Sequence, residues 1–229
     1  MATDHGQGPP FAAPQSEATL REQMCEIGRS LWSKGMVAAN DGNISALLPD
    51  GTILCTPTGV SKGFMTPAML PVVDIDGGIV SLGQGYRQPS SEVRMHLRAY
   101  QTSDLIGAVV HAHSPYATAF AIKGEALVGK LMPESIVAMP EIPLAPYATP
   151  STDEVPDSIE PFVQSHPGCL LEHHGAITWA GDLMTAYMAM ERLEYSALMT
   201  YLVRQIDGER QLSPERIAAL QRQFGIVSR

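Results

Sequence analysis

Ile106-Gly107-Ala108-Val109-Val110-His111-Ala112-His113 is an apolar run that closes on two histidines, and Cys169-Leu170-Leu171 is likewise followed by the pair His173-His174. The first stretch reads as a buried strand from Leu105 to His113. Imidazoles at i and i+2 of a strand project from one face of its sheet, so His111 and His113 can share one ion. A divalent metal held by neutral imidazoles acts as a Lewis acid on a substrate carbonyl or hydroxyl.

Outward from that strand, the pattern alternates between strand pairs and helices. Ser16 is placed to cap a helix carrying Leu20, Met24, Ile27 and Leu31 and ending near Gly35. Ile44 to Leu48 and Thr52 to Cys55 form a hairpin around Pro49-Asp50-Gly51, and Val72 to Ile75 with Ile79 to Leu82 repeat it around Asp76-Gly77-Gly78. Ser90-Ser91 begins a helix to about Tyr100, and Ser114-Pro115 opens another to about Ile122. After short apolar stretches at Ile136 to Ala138 and Ile142 to Ala145 come a helix near Asp153 to Gln164, a strand from Leu170 to Trp179, and a long helix over Asp182 to Ile206. A last helix, capped at Ser213-Pro214-Glu215, runs to about Phe224. This interleaving predicts an α/β fold, a three-layer α/β/α sandwich with a largely antiparallel or mixed central sheet.

Composition narrows the function. The 229 residues are 45% hydrophobic and 17% charged, as in a globular protein. We expect a disordered tail over residues 1–15 and a single domain over 16–229. A net charge of −9 without a Lys/Arg cluster argues against nucleic acid or an anionic membrane as partner and favours a small molecule. Cys25, Cys55 and Cys169 are too few and too far apart for a disulfide framework or a CxxC knuckle, which suits a reducing cytoplasm. No segment approaches the roughly 20 uninterrupted apolar residues of a membrane span, and the N-terminus lacks a signal-peptide pattern.

Strand alternation points His173 and His174 to opposite faces, so one of them can join His111 and His113; spacing does not choose which. His5, in the tail, and His96 and His166, on predicted helices, read as solvated or structural. Glu92 lies in the first turn of its helix, where an acid suits the macrodipole, yet beside a cation it could ligate or carry a proton. Asp41-Gly42-Asn43, Thr56-Pro57-Thr58-Gly59 and Ser90-Ser91 supply small residues, backbone N–H groups and hydroxyl or amide donors, the elements of a phosphate site with few cations. A Schiff-base mechanism needs a desolvated lysine, and Lys34, Lys62, Lys123 and Lys130 all sit in turn-like contexts; Lys62 reads as a solvated loop lysine.

Gly42-Asn43-Ile44-Ser45, Thr56-Pro57-Thr58-Gly59, Pro89-Ser90-Ser91-Glu92, Val110-His111-Ala112-His113, Ala145-Pro146-Tyr147-Ala148 and His173-His174-Gly175 occur in the order and approximate spacing of the class II aldolase/adducin family. The chain resembles that family from about Gly28 to Gly225, most closely its fuculose- and pentulose-1-phosphate aldolases. The resemblance implies a metal held by His111, His113 and His174, with Glu92 both approaching the ion and acting as catalytic base. It implies a substrate phosphate on Gly42, Asn43, Thr58, Gly59, Ser90 and Ser91, and a homotetramer with sites at subunit boundaries. Zinc suits three imidazoles and a carboxylate, with Mn2+, Co2+ or Fe2+ as alternatives.

The implied activity is cleavage of a ketose 1-phosphate to dihydroxyacetone phosphate and an aldehyde through a metal-stabilised enediolate. Met132 and Phe224 fall where related aldolases carry tyrosines on the aldehyde side, and neither donates a proton. A less polar pocket there suits a 5-deoxy- or 5-methylthio-pentulose 1-phosphate better than a fuculose-type sugar phosphate. The family's metal-dependent decarboxylases and pentulose-phosphate 4-epimerases are the enzymatic rivals, and a non-catalytic adducin-like assembly protein is the alternative of another class.

Overall fold

The computed structural model describes residues 15–226 other than Tyr86, Gly129, Pro140, Asp207 and Glu209, so nearly all of the expected N-terminal tail lies outside the described residues. In chain order, α1 (Glu17–Ser33) leads into β1 (Asn43–Leu47), β2 (Ile53–Cys55), β3 (Val72–Val73) and β4 (Ile79–Ser81). Then follow α2 (Val93–Thr102), β5 (Ala108–Ala112), α3 (Pro115–Lys123), β6 (Leu127–Val128), α4 (Pro133–Ala138), β7 (Glu141–Ile142) and β8 (Leu144–Ala145). The remainder is α5 (Glu154–Val163), β9 (Gly168–Leu171), β10 (Gly175–Ala180), α6 (Leu183–Gln205) and α7 (Pro214–Gln223). Ser16, Asp182 and Ser213 cap α1, α6 and α7 through their side chains, each accepting from a backbone N–H three residues on.

Eight strands form one sheet in the order β4-β3-β2-β1-β5-β10-β9-β8, and β6 pairs with β7 apart from it. Every neighbouring pair in the large sheet is antiparallel except β8 with β9. Strand alternation sorts the core into two layers. Ile44, Ala46, Ala108, Val110 and Ala112 pack with residues of α1, α3 and α6, whereas Val109, Ile177 and Cys169 pack with α2 and α5. This is the expected α/β/α sandwich with a mixed sheet. No helix among the described residues is long and apolar enough to cross a membrane.

Local details depart from the sequence reading where a turn hides inside an apolar run. The strand expected from Leu170 to Trp179 is a hairpin: Leu171 pairs with Gly175, and residues 172–174 form the turn. His173 makes that turn possible with φ +58°, a left-handed conformation that L-residues rarely adopt. The helix expected from Ser90 begins at Val93, and Ile136 to Ala138 belongs to α4. His166 follows α5 in a loop rather than lying on it.

Candidate active site

His111 occupies the middle of the sheet, opposite Asn43 of β1 on one side and Ile177 of β10 on the other. Because Val109 faces α2 and α5, alternation sends His111 and His113 to that same layer, toward the N-terminus of α2. The turn before β10 delivers His174 and leaves His173 outside the cluster. The three ring centroids of His111, His113 and His174 lie 4.8–4.9 Å apart, and one ligand nitrogen from each falls within 4.8 Å of the others. Gly175 makes room for them. A Cβ there would meet Ala112 O at 2.7 Å, His113 Cδ2 at 2.9 Å and His111 Cε1 at 3.3 Å.

Hydrogen bonding fixes what His111 can offer. Its Nδ1 donates to Ala176 O at 2.9 Å, because a carbonyl only accepts. Burial pushes its pKa down to about 3, so the neutral ring turns a bare Nε2 toward His113 Nε2, 3.1 Å away. Burial, followed by the neighbouring His174, also lowers His113, whose Nδ1 stands 3.5 Å from Asp41 Oδ2. A carboxylate behind a ring nitrogen orients the opposite nitrogen for an ion.

Glu92 occupies the N-cap position of α2 yet makes no capping bond. Its carboxylate turns instead to the histidines, with Oε1 3.0 Å from His174 Nε2 and Oε2 3.6 Å from His111 Nε2, while Asn43 Nδ2 donates to Oε2 at 2.6 Å. Burial alone would raise the Glu92 pKa. Interactions with His111, His174 and the Asn43 amide outweigh burial and hold the acid well below the usual carboxylate range. Three imidazoles and an ionised carboxylate around one point, one imidazole with its hydrogen already committed, are a donor set that fits a divalent ion of the zinc type.

The loops around this cluster converge. Thr56 bonds the strand of Asn43 twice, its backbone N–H donating to Ile44 O at 3.0 Å and its side-chain Oγ1 accepting from Ile44 N at 3.1 Å. Ser90 N donates to Thr56 O at 3.1 Å and Thr58 N to Gln88 O at 3.0 Å, so the Thr58-Gly59 and Ser90-Ser91 segments lie side by side. Gly42 has φ +72°, and a Cβ on it would meet His111 O at 2.9 Å. Asn43 is the exception within this group, since its side chain is buried against Glu92 and His96 rather than standing among the loop donors. Ser91 Oγ lies 3.1 Å from Ser151 Oγ.

Lys62 overturns its sequence reading. It is 1% exposed, and its Nζ donates to Asn40 O at 2.8 Å and Val60 O at 2.9 Å, joining the loop before Gly42 to the loop after Gly59. Gly28 of α1 admits this packing, since a Cβ there would come within 2.7 Å of Lys62 O. Burial pushes the amine down to about 8, against upward pulls from Asp41 and Glu92. Asp41, read with the phosphate loops, stands instead behind His113, and His96, completely enclosed, is a neighbour of the site that the sequence reading left out. For His96 a signal existed: it stands four residues from Glu92, on the same side of the helix.

Met132 precedes α4, half-buried, and Phe224 follows α7, exposed. α4 and α7 pack together, and Phe224 lines a hollow of about 230 Å3 with Pro133, Glu134, Val137, Ala138 and Arg192. The three histidines do not line that hollow.

With this geometry in view, the chain can be set beside known proteins. The family described as Class II Aldolase and Adducin N-terminal domain matches residues 22–201. The chain is 32% identical over 191 residues to the 3-oxo-tetronate 4-phosphate decarboxylase of Escherichia coli O6:H1, covering 82% of this chain and 88% of that protein. It is also 32% identical over 198 residues to the 5-deoxy-D-ribulose 1-phosphate aldolase of Bacillus thuringiensis serovar kurstaki, covering 85% and 90%. A solved L-fuculose 1-phosphate aldolase superposes with a TM-score of 0.82 at 27% identity, over 93% of this chain and 100% of that one. The protein belongs to the class II aldolase and adducin family. Among its relatives are thus two sugar-phosphate aldolases and a decarboxylase of an oxo acid phosphate.

Proposed function

We propose that the protein is a metal-dependent aldolase that cleaves a ketose 1-phosphate of the 5-deoxy- or 5-methylthio-pentulose type, or a fuculose-type analogue, to dihydroxyacetone phosphate and an aldehyde. The observation that carries this reading is the Glu92 carboxylate, held by Asn43 at 2.6 Å and set 3.0 Å from His174 within a three-histidine cluster. His111, His113 and His174 would hold the ion, with Glu92 alongside. A divalent ion there supplies the positive charge that polarises a substrate carbonyl and offsets the negative charge of an enediolate.

The chain's own groups account for the remaining steps. Gly42, Thr58, Gly59, Ser90 and Ser91 hold the substrate phosphate, Gly42, Gly59 and Ser91 through backbone N–H groups and Thr58, Ser90 and Ser91 through hydroxyls. When the C3–C4 bond breaks, the ionised Glu92 takes the proton of the C4 hydroxyl, the aldehyde leaves, and the electron pair of the broken bond forms the enediolate. Glu92 returns a proton to C3 to give dihydroxyacetone phosphate, and in condensation it removes that proton. Exposed apolar side chains on α6, Met188, Tyr195 and Leu202 among them, support assembly into a homotetramer. Three free, buried cysteines suit the cytoplasm.

Decarboxylation of a 3-oxo acid phosphate is the second reading. The E. coli relative bears that name, and loss of carbon dioxide requires no proton transfer on the side where Met132 and Phe224 stand. The two separate in one assay. Metal-loaded protein is incubated with ketose 1-phosphates and with 3-oxo-tetronate 4-phosphate. Dihydroxyacetone phosphate from a ketose 1-phosphate supports the aldolase; carbon dioxide from the oxo acid alone replaces it with the decarboxylase.

A further inference from the structure

Glu92, His96 and Tyr100 stand at i, i+4 and i+8 along one side of α2, facing Asn43 and Ser45 at i and i+2 of β1. Four helical residues advance about 6 Å and two strand residues about 6.7 Å, so the two polar rows mesh. The hydrogen bonds that join them have one consistent direction. Glu92 Oε2 can only accept, so Asn43 Nδ2 donates to it and Asn43 Oδ1 faces inward. That oxygen also only accepts, so the hydrogen of His96 lies on Nε2, 2.5 Å away. Completely enclosed, the ring is neutral and its bare Nδ1 takes the Ser45 hydroxyl hydrogen at 2.8 Å. Ser45, its own hydrogen spent, accepts from Tyr100 Oη at 2.7 Å.

We propose that this buried string, Tyr100 to Ser45 to His96 to Asn43, is a positioning device that pins Oε2 of Glu92 and so turns Oε1 to the histidine cluster, beside His174, where it handles the substrate's proton. His96, Ser45 and Tyr100 touch no reacting atom. They fix the Asn43 amide so that its N–H rather than its oxygen meets the carboxylate. Were the amide reversed, two acceptors would face each other across 2.6 Å and the carboxylate would rotate away. The catalytic consequence rests on the proposed role of Glu92; the hydrogen-bond direction does not.

Two measurements on metal-free protein test the string itself. An imidazole 15N correlation spectrum should show His96 with hydrogen on Nε2 and a bare Nδ1, and the opposite tautomer overturns the proposal. The Glu92 carboxyl 13C signal, assigned by its loss in Glu92→Gln, should move in Ser45→Ala and in Tyr100→Phe; an unmoved signal means the string serves only to satisfy the core.

Kinetics with metal and a ketose 1-phosphate then test the consequence. Ser45→Ala should lower kcat roughly 10- to 100-fold with KM within about twofold and metal content unchanged. Tyr100→Phe should lower kcat less, and Ser45→Thr, which keeps the hydroxyl, should restore most of it. Wild-type kcat in folded Ser45→Ala and Tyr100→Phe overturns the positioning role. Absence of turnover in the wild type, with both spectra as stated, instead refutes the proposed function and leaves the string intact.

Discussion

His111 Nε2 lies 3.1 Å from His113 Nε2 while His111 Nδ1 donates to the Ala176 carbonyl. A lone pair therefore faces the second ring, and the arrangement gains from a cation placed between them. Purified protein reconstituted with Zn2+ should hold one ion per chain. At a free metal concentration a hundred times Kd, the ion should stabilise the fold by about 2.7 kcal/mol. Metal analysis with thermal unfolding before and after chelation checks this; a protein that retains no ion after reconstitution contradicts it.

Glu92→Gln removes the proton acceptor and preserves its shape. The three histidines should keep substantial metal, while turnover should fall about 100- to 10,000-fold. Equal activity in the variant would remove Glu92 from its role as base.

Gly175→Ala places a methyl group 2.7 Å from Ala112 O and 2.9 Å from the His113 ring. Backbone cannot yield cheaply on one side, so the His113 ring must move. Metal affinity should drop by roughly tenfold or more, as for a displaced ligand shell. Isothermal titration of the metal against wild type and variant, with a melting curve to confirm folding, reads the effect. Unchanged affinity would show that the cluster does not depend on this close approach.

Lys62 gives a signed pH prediction. Burial lowers its folded pKa to about 8 from 10.5, so between those pH values the unfolded chain binds more protons. Stability should therefore rise with pH across this window, relative to Lys62→Met, by up to roughly 1.4 kcal/mol per pH unit. Below about pH 8 both states are protonated and the difference should be flat. Urea unfolding of both proteins from pH 7 to 10.5 tests it. Parallel pH profiles would mean that burial leaves the Lys62 pKa where it stands in the unfolded chain, and a difference still rising with pH below pH 8 would mean that the amine is already neutral inside the fold there.

Periodicity alone carried much of this architecture. His111 and His113 share a face because a strand repeats every two residues, and α1, α6 and α7 begin at Ser16, Asp182 and Ser213 because those side chains can accept from the first turn. What stayed hidden depends on tertiary packing. The turn at His173 is hidden behind a run of strand-like residues, since it requires a left-handed backbone, which His adopts more readily than most residues but still seldom. Lys62 read as solvated because turn composition does not reveal that α1 leaves a gap at Gly28. His96 looked structural on its own. Its link to Glu92 emerges when α2 is laid against β1.

The central claim is that this site forms an enediolate with Glu92 as proton carrier, and exchange of a dihydroxyacetone phosphate hydrogen with solvent tests it without knowledge of the aldehyde. In deuterated buffer, metal-loaded wild-type protein should incorporate deuterium at the hydroxymethyl carbon, followed by proton NMR, while metal-free protein and metal-loaded Glu92→Gln should leave the signal near the uncatalysed rate. No exchange by the metal-loaded wild type, or equal exchange by Glu92→Gln, would contradict the account.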